Sequence, residues 1–255
     1  MKLKVLGCSG GIGGRDLRTT ALLVDDDILI DAGTGLAELE VAQMARIDHV
    51  FITHSHLDHI ACLPLMLDTV VDLRERPLII HATQATQDIL RTHVFNWQIW
   101  PDFSEIPSRE NPCMRFNTIQ LGQRTVLNGR TITALPSNHS VPAVGYQIDS
   151  GAASLVFTGD TGVNDALWRE LNEISGLRYL IIETAFSNRD RQLAILSKHL
   201  CPSLLSTELL KLRQDPEIFI THLKPGQGEL IMQEIDGNTG RHRPRMLQTD
   251  HLFEF

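Results

Sequence analysis

Residues 54–59 read HSHLDH, so His54, His56, Asp58 and His59 fall within six positions, straight after the apolar run HVFIT. Three imidazoles and a carboxylate packed this closely contribute nothing to folding, because each must be solvated or paired. Neutral imidazole and carboxylate are the donors that zinc and similar divalent ions prefer. The apolar run predicts a strand over 49–54. With a period of two, His54 and His56 would point the same way at its end. Asp58 and His59 follow where the chain should turn into a helix. Further candidate donors stand at the ends of other apolar runs: His139 in LPSNHSVPAVGY, Asp160 in SLVFTGDTG and His222 in EIFITHL. One such residue is ordinarily a polar group at an element boundary. Three of them beside the cluster point to a shared ion-binding crevice.

The elements that must position these residues are short apolar stretches separated by turn signals. KLKVLG (2–7), TALLVD (20–25) and DILIDAG (27–33) read as strands, the last two forming a hairpin across Asp25–Asp27. Ile60, Leu63, Leu67 and Val70 have helical spacing, with Pro64 near the start of that helix. PLIIHA (77–82) predicts a strand and 83–95 a helix, followed by a structured loop over 96–112. Strands resume with RTITALPS (130–137), AVGYQID (143–149) and ASLVFTGD (153–160). A helix over 163–174, a strand YLIIET (179–184), a helix over 202–213 and a last buried strand EIFITHL (217–223) complete the pattern. There is no short-period repeat and no linker, so residues 1–255 are expected to form one domain. This α/β order suits two mixed sheets face to face, with helices outside.

Composition narrows the function. Of 255 residues, 42% are apolar and 21% charged, enough for a sizeable core. A net charge of -8 argues against a partner gripped along its phosphate backbone, such as a nucleic-acid polymer. The start, MKLKVLGCSGGIGG, lacks a signal-peptide apolar segment, and no run approaches the ~18 apolar residues of a membrane span. A cytoplasmic protein without a membrane partner is expected. Cys8, Cys62, Cys113 and Cys201 are scattered and form no CxxC pair, which predicts free thiols.

THSHLDH resembles the HxHxDH signature of the metallo-β-lactamase superfamily, with His139, Asp160 and His222 following in that family's order. The similarity runs through LGCSGGIGG and LIDAGTG and covers nearly the whole chain. It implies an αββα sandwich with a two-metal site at one edge of the sheets. On the family pattern His54, His56 and His139 would hold one ion, and Asp58, His59 and His222 the other, with Asp160 bridging. Asp31 looks like the residue that orients a ligand histidine. The ions would be zinc, with manganese or iron as alternatives.

Two such ions can hold a bridging hydroxide and stabilise an in-line displacement, which suits esters, amides and phosphodiesters. No cysteine stands at a ligand position, and the lack of a secretory signal disfavours a periplasmic β-lactamase. Position 56 is His rather than the Glu of the diiron redox branch, so hydrolysis is favoured. IIETAFSNRDRQLAILSKHL adds Glu183 and His199. A His near the metals, paired with a carboxylate, could protonate an alkoxide leaving group. Placed before Pro202, His199 is expected at a helix N-terminus, which would lower its pKa.

HLDHIACLPL, FNWQIWPDFSEIP, NHSVPAVGYQI, FTGDTG, IIETAFSN, SKHL and THLKPG together are similar to the class II cyclic-nucleotide phosphodiesterases. That resemblance implies hydrolysis of 3′,5′-cyclic nucleotides, typically cyclic AMP, to 5′-nucleotides, with a small-molecule substrate and a homodimeric assembly. In the loop with Phe95 and Phe103, Trp97 and Trp100 could stack a base or could anchor the loop. The glycines of GCSGGIGG match no phosphate-loop pattern and read as a tight structural loop bordering the site. Rival readings are a tRNA 3′-end-processing nuclease, another small phosphoribosyl cyclic phosphodiesterase, and a non-catalytic metal-binding module. Against the nuclease, only 20 residues lie between His139 and Asp160, too few for a tRNA-gripping arm. Against the module, every ligand position is filled.

Overall fold

In the computed structural model, residues 1–14 and 16–255 are described. The first half is built from β1 (Lys2–Gly7), β2 (Ala21–Val24), β3 (Ile28–Ile30), α1 (Val41–Met44), β4 (His49–Phe51), α2 (Leu57–Ile60), α3 (Leu63–Val70), β5 (Leu78–Ala82), α4 (Gln84–His93) and β6 (Met114–Thr118). The second half follows with β7 (Arg124–Leu127), β8 (Arg130–Pro136), β9 (Val144–Asp149), β10 (Ser154–Phe157), α5 (Asp165–Glu173), β11 (Leu177–Glu183), α6 (Arg191–Ser197), α7 (Pro202–Leu209), β12 (Glu217–Thr221), α8 (Gly228–Ile235), β13 (Arg245–Met246) and β14 (Leu252–Glu254).

Two seven-stranded mixed sheets result, in the orders β14-β1-β2-β3-β4-β5-β6 and β13-β12-β11-β10-β9-β8-β7. Period-two alternation explains why the central strands are apolar throughout. Leu22 and Val24 of β2 face the inter-sheet core with Tyr146, Phe157, Ile181 and Phe219. Ala21 and Leu23 face the opposite way, into a second core with Leu63 and Leu67 of α3 and Leu90 of α4. On the other sheet Leu180 and Ile182 pack outward against Leu171 of α5, Leu205 of α7 and Ile231 of α8. The layers are therefore helix, sheet, sheet, helix. Each fully buried Leu, Ile or Phe contributes about 1.5–3 kcal/mol relative to exposure. Arg130 of β8 ties the two sheets at their edge, with Nη1 donating to Asp27 Oδ1 across 2.5 Å and to Asp25 Oδ2 across 3.0 Å. No helix among the described residues is long and apolar enough to cross a membrane.

Several expectations need correction. EIFITHL is not the last strand, because β13 and β14 follow it and close the edges of the two sheets. The strand expected over 49–54 stops at Phe51, so His54 and His56 stand on a loop and not on a strand end. Strands β6 and β7 and helices α6 and α8 go beyond the sequence expectation. The first two have mixed, part-exposed faces with little apolar run to mark them.

Candidate metal centre

The segment after β4 is held from both sheets. Ile52 N–H donates to His81 O across 2.9 Å, and the buried Tyr146 hydroxyl donates to Ile52 O across 2.8 Å. Val144 N–H donates to Thr53 O across 3.0 Å. These bonds replace the missing ladder and fix where His54 begins. His56 then caps α2, whose first turn carries Asp58 and His59. His139 lies beyond β8, Asp160 beyond β10, and His222 directly after β12.

The structure brings these seven residues together in two donor sets. His54, His56, His139 and Asp160 form one, and Asp58, His59, Asp160 and His222 the other, with the donor atoms of each set within 4.8 Å of one another. Asp160 is common to both: its Oδ2 lies 3.4 Å from His59 Nε2 and 3.7 Å from His54 Nε2, and its Oδ1 lies 3.3 Å from His222 Nδ1.

The donors fit a pair of divalent cations. His54 Nε2, His59 Nε2 and His222 Nδ1 are buried without a hydrogen-bond partner. His139 Nε2 and His56 Nδ1 face each other across 3.1 Å. Buried polar atoms left bare are costly, and several bare imidazole nitrogens converging on one carboxylate are the arrangement a cation relieves. The nitrogen and oxygen donor set, without sulfur, suits zinc and also manganese or iron.

Outer hydrogen bonds set the tautomers. His59 Nδ1–H donates to Asp31 Oδ2 across 2.6 Å, leaving Nε2 turned toward Asp160. The Thr53 hydroxyl donates to the same Oδ2 across 2.8 Å and lies 3.0 Å from His54 Nδ1, whose proton it accepts. His139 Nδ1–H donates to Lys198 O across 3.1 Å, and Lys198 Nζ donates back to His139 O across 2.9 Å. Such partners govern ligand orientation and basicity. Asp31 was readable in DAG. Thr53 and Lys198 were not, because a hydroxyl beside a ligand and a carbonyl 59 residues away leave no pattern in the chain.

Burial and neighbouring imidazoles hold His54 well below the ordinary imidazole range, and burial pulls His139 to about 4 and His222 to about 3. These rings are therefore neutral, the form that binds metal. His59 is held well above its usual value, because the Asp160 and Asp31 carboxylates outweigh burial, so without an ion Nε2 carries a proton that a bound cation would displace.

The glycine loop after β1 packs against this centre. His222 N–H donates to Cys8 O across 2.8 Å, and Gly10 N–H donates to Leu223 O across 3.0 Å. His222 takes a left-handed backbone, φ 62°. A Cβ on Gly10 would lie 2.3 Å from His222 O and 3.0 Å from its imidazole Cδ2, so only glycine allows this approach.

Glu183 and His199 lie at the rim. His199 Nδ1–H donates to Glu183 Oε1 across 2.7 Å. The fully buried Glu183 also accepts from the backbone N–H groups of Thr161, Ala185 and Leu200. The His199 ring lies 5.2 Å from that of His222, nearly parallel, and 4.8 Å from that of His139. The helix N-terminus expected for His199 is not found. It follows the C-terminus of α6, after Lys198 in left-handed conformation, and α7 begins only at Pro202. The expected lowering is also reversed. Burial works against the imidazolium, but the Glu183 carboxylate and its hydrogen bond raise the pKa above the usual value.

The aromatic loop lies apart from these contacts. Phe95 and Phe103 are buried in the core beneath α3 and α4, and Trp100 packs against it. Trp97 is 61% exposed. Among the described residues neither tryptophan shares a hydrogen bond with the seven donors or with His199. All four cysteines are free, and burial pushes the Cys8 thiol up to about 12.

The fold agrees with the comparisons to known proteins. A family model described as a beta-lactamase superfamily domain matches residues 26–237, and the chain belongs to that family. Among curated relatives, it is 30% identical over 219 residues to a Yersinia pestis protein named as a probable 3′,5′-cyclic-nucleotide phosphodiesterase, covering 74% of this chain and 62% of that one. An Aliivibrio fischeri protein named 3′,5′-cyclic-nucleotide phosphodiesterase is 25% identical, covering 86% and 80%. A ribonuclease Z of Haloarcula marismortui is 28% identical, covering 58% and 47%. The match to the first of these thus spans under two thirds of that relative's length, and the match to the third about half. Unliganded yeast PDE1 has the same fold, with a TM-score of 0.82 at 18% identity over 98% of each chain.

Proposed function

We propose that this chain is a metal-dependent phosphodiesterase that hydrolyses 3′,5′-cyclic nucleotides, cyclic AMP first among them, to 5′-nucleotides. The observation that carries this reading is the His199–Glu183 pair at the rim of two donor sets that share Asp160. An ester with a good leaving group needs no proton donor, whereas a ribose 3′ oxygen departs as an alkoxide and does.

His54, His56, His139 and Asp160 would hold one divalent ion, and Asp58, His59, His222 and Asp160 the other. Bound there, the ions would supply a nucleophile at neutral pH and positive charge against the phosphoryl oxygens. Asp31, Thr53 and the Lys198 carbonyl keep His59, His54 and His139 turned with Nε2 inward. Glu183 keeps His199 protonated on Nδ1 and raises its pKa, so that Nε2–H is available to the departing 3′ oxygen. The substrate is a small molecule, and we assign the enzyme to the cytoplasm as a homodimer.

The relatives' names also support a ribonuclease Z reading. What favours the small substrate is the stretch between His139 and Asp160. It is occupied by β9, a short turn and β10, all within the sheet, with no projecting arm. Product analysis tests the assignment: cyclic AMP should yield 5′-AMP alone, and release of 3′-AMP or no product would contradict it.

A further inference from the structure

Thr161 is buried and directly follows Asp160, the residue common to both donor sets. Its backbone N–H donates to Glu183 Oε1 across 3.0 Å, the same oxygen that accepts from His199 Nδ1–H across 2.7 Å. Its hydroxyl accepts from the backbone N–H of Asn138, the neighbour of the candidate donor His139, across 3.1 Å. We infer that the Thr161 hydroxyl is a positioning group that sets the His199–Glu183 pair against His139, a role that rests on the proposed hydrolysis and extends it to a further residue of the same site.

The contacts close into a ring. Asn138, joined to His139, reaches Thr161 Oγ1, and Thr161 N–H reaches Glu183, which holds His199. Lys198, joined to His199, returns to His139 twice. Its carbonyl accepts from His139 Nδ1–H across 3.1 Å, and its Nζ donates to His139 O across 2.9 Å. Each step between residues is a peptide bond or a hydrogen bond. In such a ring no member shifts without another giving way.

His199 depends on these ties because packing gives it little support. Of α6, which leads into it, only Ala194 is buried. The Thr161 segment lies directly on this stretch: a Cβ on Gly162 would stand 3.3 Å from Lys198 Cα. A proton donor displaced by about 1 Å can lose a large part of its effect.

Removing the hydroxyl leaves the two loops paired. Gly162 N–H still donates to Asn138 O across 2.9 Å, and Asn138 Nδ2 to Val163 O across 2.8 Å. What is lost is the link that fixes Thr161 N–H, and with it Glu183, relative to His139.

The test uses the metal-loaded enzyme and two phosphodiesters: cyclic AMP, whose leaving oxygen needs a proton, and bis(p-nitrophenyl) phosphate, whose leaving group does not. Thr161→Val keeps the side chain's shape without the hydroxyl, and Thr161→Ser keeps the hydroxyl. In Thr161→Val, kcat on cyclic AMP should fall about tenfold with KM little changed, as expected for a misplaced proton donor. Metal equivalents per chain should equal those of wild type, the loss on the aryl diester should be much smaller, and Thr161→Ser should restore turnover of cyclic AMP. Added to His199→Ala, Thr161→Val should cost nothing further, because the group it positions is gone. Should Thr161→Val fail to fold, Thr161→Ala makes the same deletion. Equal losses on both phosphodiesters, or a full further loss on top of His199→Ala, overturn the positioning role and leave the proposed reaction standing. A wild type that cleaves the aryl diester and no cyclic nucleotide overturns the reading of the reaction, and the role of Thr161 with it.

Discussion

His199 Nδ1 and Glu183 Oε1 stand 2.7 Å apart, with the His199 ring stacked on His222. In the proposed reaction, the carboxylate buried behind this imidazole, beside the candidate metal cluster, equips His199 to donate a proton. His199→Ala should keep its metal content and lose about 10²-fold or more in turnover of cyclic AMP. With bis(p-nitrophenyl) phosphate, whose leaving group departs unprotonated, the loss should be much smaller. Equal losses on both substrates would show that His199 acts through structure and not as an acid.

Asp31 serves two candidate ligands at once, His59 directly and His54 through the Thr53 hydroxyl. Asp31→Asn should weaken metal binding about 10–100-fold. Thr53→Val should weaken it less, since only His54 loses its partner. Competition against a chelator measures both, and equal affinity for wild type and Asp31→Asn would remove Asp31 from its orienting role.

Gly10 lies where a methyl group would meet the carbonyl and ring of His222. Gly10→Ala should displace His222 and lower the bound metal from two equivalents toward one. The melting temperature of the metal-free protein should change less than the metal stoichiometry. Two retained equivalents would mean that the loop yields at no cost to the ligand.

The clustering of the seven candidate donors was legible in the sequence because HSHLDH concentrates four of them and because apolar strands announce where His139, Asp160 and His222 emerge. The sandwich was legible for the same reason: strands buried on both faces read as continuous apolar runs. What was not legible depends on contacts distant along the chain. RQLAILS forms α6 with Leu193, Ile195 and Leu196 exposed, which turns His199 into a residue after a helix and not before one. Its pKa direction then follows Glu183, not a helix dipole. RFNT and RTVL, within β6 and β7, form outer strands whose faces are partly wet, so alternation is the only trace they leave.

A pH effect on stability follows from the side chain of His81, which belongs to neither donor set. Its Nδ1 accepts from Asn117 Nδ2 across 2.9 Å, so Nε2–H donates to His49 Nδ1 across 3.0 Å, and the ring stacks on Phe51. Burial pulls its pKa down to about 3, against about 6.5 in the unfolded chain. Between those values the unfolded chain binds a proton that the native protein does not. The contribution is therefore fully present above about pH 6.5 and declines as pH falls, by about 1.4 kcal/mol per unit. Urea unfolding of the metal-free wild type and His81→Gln at pH 7, 5.5 and 4.5 isolates it. The stability difference between the two should shrink toward low pH, and a difference independent of pH would refute the assignment.

The central claim is tested most directly by steady-state kinetics on cyclic AMP, cyclic GMP, 2′,3′-cyclic AMP and a precursor tRNA, with metal analysis of the same sample. The account predicts the highest kcat/KM on cyclic AMP, with two metal equivalents per chain. Preferred cleavage of the precursor tRNA, or inactivity on every 3′,5′-cyclic nucleotide with both metals bound, would contradict it.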